Sequence, residues 1–310
     1  MAGATGSAGA AGQLTKQSST MPDGGQRRPH TLSLSIIGCG KVGQTLGRLW
    51  HDRQTFVLLD ILNRSTASAQ QACAFIGAGS VTADHAGLRS ADIYLIATSD
   101  DQIAACCNAL AAAGKLHPGS IVFHCSGALS SLELAAATAQ GAAVASIHPI
   151  RSFADPQQVA DHFDGTWCGS EGDAAALAVL GPAFSAIGAQ SVEIRREQKT
   201  LYHAAAVFAS NYQVTLIDVA QQAYVAAGIP PELALKLIEP LLSESAANAF
   251  RLGPATALTG PIARGDLATV ARQYQAVQQW QPQIAELYQQ FAVLTTDLAM
   301  RKKISKPGKP

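Results

Sequence analysis

A glycine-rich turn near the start of the chain is the feature that most constrains its fold. Gly38-Cys39-Gly40-Lys41-Val42-Gly43 has the spacing GxGxxG and stands between a short apolar run, Leu34–Ile37, and an apolar helical pattern containing Leu46, Leu49 and Trp50. After a strand and before a helix, such glycines permit a tight turn, close approach of a pyrophosphate and close packing of the helix on the strand. All six residues of the turn are therefore predicted to bind a dinucleotide at a helix N-terminus.

The rest of the first half continues this pattern. Short β-rich runs alternate with Ala-rich stretches, and several runs are apolar on both alternating faces, as strands covered by helices on both sides are. The runs are Leu34–Ile37, Phe56–Leu62, Ile93–Thr98, Ser120–Cys125, Ala143–Ile147, Thr166–Gly169 and Ser191–Ile194. Alternating strands and helices predict an α/β fold with a mostly parallel, doubly wound Rossmann sheet.

The second half has only helical patterns. They cover Gln198–Ala227, Pro231–Leu252, Asp266–Trp280 and Pro282–Ala299. The sequence thus predicts a Rossmann domain over residues 31–195 followed by an all-α domain over residues 196–300. Residues 1–30, rich in Ala, Gly, Ser and Gln, are predicted to form a disordered tail, and residues 301–310 a basic tail.

The composition argues against several classes of function. Lys plus Arg and Asp plus Glu both number 22, so the formal net charge is zero and a general nucleic-acid-binding role is disfavoured. The sequence has no run of about 20 apolar, uncharged residues, so no membrane span is predicted. The six cysteines form no CxxC pair and no histidine spacing completes a zinc site, so no metal is predicted and a reducing, cytoplasmic setting is expected.

The end of the second strand indicates which dinucleotide is bound. Asp60 has about the offset of the acid that binds the ribose of NAD, but apolar residues follow it, which places it inside the strand. Asn63, Arg64 and Ser65 come directly afterwards, and a guanidinium beside hydroxyl groups suits a phosphate dianion. The sequence therefore predicts NADP rather than NAD, with a solvated loop charge as the alternative role for Arg64.

Polar residues also stand at the ends of the next strands, where doubly wound sheets bind ligands. Ala97-Thr98-Ser99-Asp100-Asp101 is predicted either to line the cofactor, with Thr98 and Ser99 as its contacts, or to cap the following helix. Ser126-Gly127 follows the next strand, and His148 ends the one after. His148 and the earlier His124 are candidates for pocket residues or for hydrogen-bonded structural histidines.

The first helix of the second half carries polar residues on one broad face. His203 lies about 40° and Asn211 about 120° around the helix from Lys199. Such side chains can supply the proton and the dipoles for hydride transfer to a carbonyl or imine, although an ordinary helix with a solvated first turn has the same pattern. Arg264, in the shaped loop Thr259–Asp266, could bind a substrate carboxylate or phosphate, or form a structural salt bridge.

Four stretches together resemble the Rossmann-like, DUF2520 domain-containing family of NADP-dependent oxidoreductases. They are Gly38–Gly43, His124–Gly127, Tyr202–Tyr212 and Thr259–Asp266. The resemblance implies kinship with ketopantoate reductase, pyrroline-5-carboxylate reductase and the β-hydroxyacid dehydrogenases, a helical domain like the C-terminal domain of 6-phosphogluconate dehydrogenase, and a homodimer formed through it. By the β-hydroxyacid dehydrogenase pattern, it also implies that Lys199 donates the proton and that Ser126-Gly127 holds the substrate. Because His203 stands where those enzymes have asparagine, His203 is the other candidate donor.

These observations favour an NADP-dependent reductase of a small keto or imino acid. The predicted catalytic residues are Lys199, His203, Ser126 and Asn211, and the predicted substrate contacts are Gly127, His148 and Arg264. A dinucleotide-binding sensor without catalysis and a methyltransferase with a similar glycine turn are the alternatives.

Overall fold

A computed structural model describes Gly3 and residues 31–304. The predicted disordered tail, Gly3 apart, and residues 305–310 of the predicted basic tail lie outside the described residues.

Eight strands form one sheet in the order β3-β2-β1-β4-β5-β6-β7-β8. They are β1 Ser33–Ile37, β2 Val57–Leu62, β3 Ser80–Thr82, β4 Ile93–Ile96, β5 Ile121–His124, β6 Ala143–Pro149, β7 Trp167–Gly172 and β8 Gln190–Glu193. All neighbouring pairs are parallel except β6 and β7. The strand order reverses between β1 and β4, which is where such sheets bind ligands. The predicted fold class is confirmed.

Helices cover both faces of the sheet. They are α1 Lys41–Asp52, α2 Thr66–Ile76, α3 Ile103–Ala112, α4 Ala135–Thr138, α5 Pro156–Asp161 and α6 Ala174–Ala186. On one face, Trp50 of α1 packs edge-on against Phe56 and Phe184 and donates from Nε1 to the Ala183 carbonyl at 3.0 Å. On the other face, α3 and α4 bury a second apolar cluster that includes Leu110. Because both faces are covered, β4 and β5 are buried at every residue, as their continuous apolar sequences require.

Seven helices follow the sheet in the described chain. They are α7 Lys199–Ala209, α8 Asn211–Ala226, α9 Pro231–Leu252, α10 Pro254–Ala257, α11 Gly260–Arg264, α12 Leu267–Trp280 and α13 Pro282–Ile304. Gly228, with φ +91°, follows α8, and Pro231 begins α9, as the stop-start pattern predicts. Asp266 caps α12 by accepting a hydrogen bond from the Thr269 amide at 3.0 Å.

Two predicted helix limits in this half are wrong. The single helix predicted over Gln198–Ala227 is broken at Ser210, whose φ of −124° and ψ of −71° are not helical. The last helix continues past Ala299 to Ile304, so the first residues of the predicted basic tail are helical. Lys302 holds this extension by donating a hydrogen bond to the Leu258 carbonyl at 2.8 Å. No helix among residues 31–304 is long and apolar enough to cross a bilayer.

Candidate functional site

The glycine turn joins β1 to α1 and has the geometry that its sequence predicts. Gly38 adopts φ +78°, and a Cβ there would lie 2.8 Å from the Thr98 amide nitrogen. Gly43 packs the helix closely on the sheet, since a Cβ there would meet three side chains at 3.2–3.3 Å. By contrast, the nearest atom to a Cβ on Gly40 would be 4.0 Å away, so the space in front of this residue is open. The turn thus leaves its outer side free for a ligand at the start of α1.

Residues after β2 complete the turn. Asn63 Oδ1 accepts a hydrogen bond from the Cys39 amide at 2.6 Å, which ties the glycine turn to the end of β2. Asp60 lies inside β2 and is buried, and its two carboxylate oxygens accept hydrogen bonds from the Arg89 backbone and guanidinium at 2.7–3.0 Å. Asp60 is therefore occupied by Arg89, whereas Arg64 is exposed beside the turn.

A cavity of about 700 Å³, the glycine-loop cleft, opens between this turn, β2 and β4. Its walls include seven of the predicted cofactor-binding residues, namely Gly38, Cys39, Gly40, Asn63, Arg64, Thr98 and Ser99. The other four predicted residues do not line it: Lys41 is exposed, Val42 lines the neighbouring cavity, Gly43 packs inward and Ser65 caps α2 by accepting from the Ser68 amide. The open backbone of the glycine turn and the exposed Arg64 in this cleft suit the phosphate groups of a dinucleotide.

A second cavity of about 310 Å³, the histidine cleft, adjoins the first at the ends of β4, β5 and β6. Ala97 and Thr98 line both cavities. The other walls of the histidine cleft are Val42, Asp100, Cys125, Ser126, Gly127, His148, Pro149, Arg151, Phe153 and His203. Four of the predicted catalytic and substrate-binding residues, Ser126, Gly127, His148 and His203, are thus brought together.

Two histidines from different domains face each other across this cleft. The rings of His148 on β6 and His203 on α7 lie 5.7 Å apart at 78°. Gly127 makes room for both, because a Cβ there would collide with His203 Nδ1 and lie 2.9 Å from His148 Nε2. His203 Nδ1 is buried and has no hydrogen-bond partner among the described residues. Ser126 Oγ shapes the turn by accepting from the Ala128 and Leu129 amides at 3.2 and 3.0 Å.

Burial keeps His148 neutral. It lowers the pKa of this residue to about 4, and the nearby His203 and Lys199 act in the same direction, while Asp100 opposes them. Nδ1 of His148 lies 3.0 Å from the Tyr202 hydroxyl. Burial raises the pKa of Tyr202 to about 12.

Lys199 lies behind the cleft wall rather than in it. Its side chain is 1% exposed, donates a hydrogen bond to Ser146 Oγ and forms an ion pair with Glu171 Oε1 at 3.5 Å. Burial lowers the pKa of Lys199, against the effect of Glu171. Burial alone would raise the pKa of Glu171, but hydrogen bonds from Ser131 and Arg196 and the charge of Lys199 lower it overall. The cluster joins the start of α7 to the sheet.

His124 is a structural histidine. It is fully buried in β5, where Nδ1 accepts from the Ser126 amide at 3.1 Å and Nε2 lies 3.1 Å from the Ser130 carbonyl. Since the amide must donate, Nδ1 carries no proton and Nε2 donates to Ser130. Burial lowers the pKa of His124 to about 4. Its ring therefore supports the turn that carries Ser126.

Besides Lys41, Gly43, Ser65 and Lys199, two further predicted site residues line neither cleft. The break at Ser210 moves Asn211 onto α8, so it does not share a helix with His203, and its side chain is exposed. Arg264 ends α11 and is also exposed. Asp100 belongs to the segment after β4 that was expected to line the cofactor or to cap a helix, and it lines the histidine cleft. Tyr202 and Glu171 were not predicted as site residues, and only Tyr202 had a local signal, its place beside His203.

Two family models match the chain. Residues 18–149 match a Rossmann-like domain, and residues 166–295 match a domain of unknown function, DUF2520. The predicted resemblance is confirmed. A comparison with curated proteins finds no match.

Several solved structures share the whole architecture. Protein TM1727 from Thermotoga maritima is 26% identical, with a TM-score of 0.69 over 87% of this chain and 99% of its own. The putative NADP oxidoreductase BF3122 from Bacteroides fragilis is 19% identical, with a TM-score of 0.69 over 86% of this chain and 98% of its own. An imine reductase from Myxococcus stipitatus, in complex with NADP+, is 15% identical, with a TM-score of 0.59 over 89% and 96%. These likenesses confirm the fold.

Proposed function

We propose that this chain, which pairs a Rossmann-like domain with a DUF2520 domain, is an NADP-dependent oxidoreductase that reduces a C=O or C=N bond in a small keto or imino acid. The observation that carries the proposal is the junction of the two clefts at Ala97 and Thr98. A dinucleotide site and a pocket with two histidines adjoin at the edge of the sheet where such folds carry out chemistry. The names of the similar structures, an NADP oxidoreductase and an NADP+-bound imine reductase, support the same reaction class.

NADP is favoured over NAD by the groups at the end of β2. Asp60 is buried inside β2, both of its carboxylate oxygens accept hydrogen bonds from Arg89, and it does not line the glycine-loop cleft where ribose hydroxyls would lie. Arg64 is exposed on the wall of the glycine-loop cleft and can meet a 2′-phosphate. Asn63 is proposed to hold the turn in shape for that contact.

The chain's own residues would bind the substrate and supply the proton. When bound, NADPH supplies a hydride to the carbon of the C=O or C=N bond and leaves as NADP+, and the oxygen or nitrogen takes a proton. His203 is proposed as the proton donor, because it lines the histidine cleft, whereas Lys199 is engaged by Ser146 and Glu171 behind the wall. Lys199 is proposed to position the start of α7.

The helical domain is proposed to form a homodimer. Its surface exposes large apolar side chains, including Phe250 at 91%, Leu267 at 77% and Phe208 at 70%. A groove of about 750 Å³ between α8, α9, α12 and α13 is lined mostly by apolar residues. Soluble monomers rarely leave such a surface in water, and a second copy would cover it. The exposed Asn211 and Arg264 are then proposed to reach the substrate bound by the partner subunit.

Light scattering tests the homodimer and should give twice the chain mass of 32.1 kDa.

Cofactor binding is the first test. Arg64→Ala should weaken NADPH binding about 10- to 150-fold and leave NADH binding unchanged, because a charge-assisted contact to the 2′-phosphate is worth about 1.5–3 kcal/mol. Arg53→Ala, an exposed arginine at the other end of α1, is the matched control. Equal losses for both dinucleotides would contradict the assignment to NADP.

Turnover is the second test. Loss of NADPH fluorescence is followed with a panel of small keto and imino acids, for the wild-type protein, His203→Asn and the exposed His117→Asn as control. Only His203→Asn should lose turnover, by about 100-fold or more. Tight NADPH binding without consumption against the whole panel would refute the reductase and leave a sensor.

A further inference from the structure

We propose that Tyr202 is a positioning residue that holds His148 as a hydrogen-bond donor toward the substrate. Its hydroxyl donates to His148 Nδ1, so the single proton of the ring lies on Nε2, in the histidine cleft. The role of His148 in reduction rests on the proposed function, whereas the position of the proton on its ring does not.

The two nitrogens of His148 lie in different surroundings. Nδ1 is 3.0 Å from the Tyr202 hydroxyl, and this is the side-chain hydrogen bond of His148 in the described chain. Nε2 is on the side of Gly127, where a Cβ would lie 2.9 Å from it, and it does not belong to the buried, unpartnered atoms. Nε2 is therefore the nitrogen that can meet a ligand in the cleft.

The Tyr202 hydroxyl is held in place from its other side. Gly169 of β7 pairs with His148 of β6, and a Cβ on Gly169 would collide with the hydroxyl oxygen and lie 2.7 Å from Cζ. Because Gly169 has no side chain, the Tyr202 hydroxyl can lie directly against β7. The Tyr202 and His148 rings meet edge-on, with centroids 5.7 Å apart at 89°.

Both groups are neutral, and of the two directions open to this hydrogen bond we assign the one in which the Tyr202 hydroxyl donates. Its pKa is raised to about 12, so the hydroxyl keeps its proton, and the lowered pKa of His148 leaves the ring neutral with one acceptor nitrogen and one N–H. A phenol is a good donor and an unprotonated imidazole nitrogen a good acceptor. The charged or titratable groups that act on His148 are His203 and Lys199 of α7 and Asp100 after β4, and they leave it neutral at pH 6–8.

A neutral N–H suits the developing charge of a reduced C=O or C=N bond. A preorganised, neutral imidazole N–H stabilises that charge without losing its own proton. His203 and His148 would then divide the work: one supplies the proton and the other a fixed dipole.

Nitrogen-15 NMR of histidine-labelled, full-length protein without added cofactor tests the state of the ring. His148→Gln assigns the signals, and Tyr212→Phe on the exposed face of α8 is the control for Tyr202→Phe. We expect the wild-type protein and the control to show the Nε2–H form of His148 throughout pH 6–8. Tyr202→Phe should give a mixture of both tautomers. The Nδ1–H form in the wild type, or an unchanged spectrum in Tyr202→Phe, would overturn the proposal.

Activity provides a separate arm with any substrate found by the NADPH panel. Tyr202→Phe should lower kcat about tenfold and His148→Gln about 100-fold, with the KM for NADPH unchanged. A Tyr202→Phe variant with normal kcat contradicts the catalytic part of the proposal. If no compound is reduced, the proposed function fails, while the NMR result still decides the role of Tyr202.

Discussion

Gly127→Ala tests whether the site depends on the close approach of two histidines to the turn after β5. A Cβ at this position would lie 2.9 Å from both Cε1 and Nε2 of His148, whereas ordinary contacts begin at 3.4 Å. The His148 ring must therefore retreat by about half an ångström, and the His203 ring, which the Cβ would strike more closely, by more. Because the two rings come from β6 and α7, the added methyl group would push His148 and His203 apart.

The expected result is a large loss of turnover with a modest loss of stability. Displacements of about 1 Å at a reacting centre cost about 100-fold in rate, and overpacking costs about 1–3 kcal/mol in the free energy of unfolding. NADPH affinity should not change, because Gly127 does not line the glycine-loop cleft. The assays are NADPH consumption, NADPH titration and urea unfolding.

Gly181→Ala is the matched control for this substitution. A Cβ on Gly181, in α6, meets no atom within 4 Å, so it should keep turnover and gain about 0.5–1 kcal/mol of stability from the lower entropy of the unfolded chain. If Gly127→Ala kept full turnover, the two rings would not need this separation and the assigned roles of His148 and His203 would be wrong.

Two further predictions concern buried ionisable groups. Glu171→Gln should lower the free energy of unfolding by about 3–5 kcal/mol, because it leaves the Lys199 charge buried without its partner, whereas the exposed Glu193→Gln should change it by less than about 0.5 kcal/mol; urea unfolding at pH 7 measures both. For His124, whose pKa falls from an ordinary 6.5 to about 4 on folding, the unfolded chain binds more protons between these values. The contribution of His124 to stability should therefore fall by about 3 kcal/mol as the pH drops through this window, and His148, whose pKa is also lowered to about 4, adds a contribution of its own. His124→Gln should flatten that part of the stability profile and the exposed His117→Gln should not, so parallel profiles would disprove the assignment.

The first half of the fold could be predicted because its signals are local. The glycine turn, the apolar runs and the position of Asp60 inside β2 are all readable within a few residues. The three-residue strand β3 was missed, since it is short and mostly exposed and has no apolar pattern. The break at Ser210 was also missed, because the residues around it carry neither proline nor glycine.

The site could be predicted only in part. His148 lies near the end of β6 and Gly127 follows β5, so their meeting follows from the topology of the sheet. His203 lies inside α7, and its place in the cleft does not follow from that topology. Lys199 was expected to act in the pocket, but its position depends on Glu171, an acid 28 positions earlier on β7, which runs antiparallel to β6. No spacing in the sequence reports such a long-range partner. Lys199 does not line the histidine cleft, and its role in catalysis stays a prediction.

Two side-chain contacts tie α7 to β6 and so limit where the helical region can move relative to the sheet. Lys199 contacts Ser146, and one helical turn later the Tyr202 hydroxyl contacts His148 two strand residues on. From Lys199 to Tyr202 the helix rises about 4.5 Å, and from Ser146 to His148 the strand rises about 6.6 Å. The long side chains of Lys199 and Tyr202 span the difference of about 2 Å. Because both contacts hold α7, we expect this helix to move together with the sheet. Any opening of the helical domain would then have to pivot at Ser210, beyond the last of these attachments.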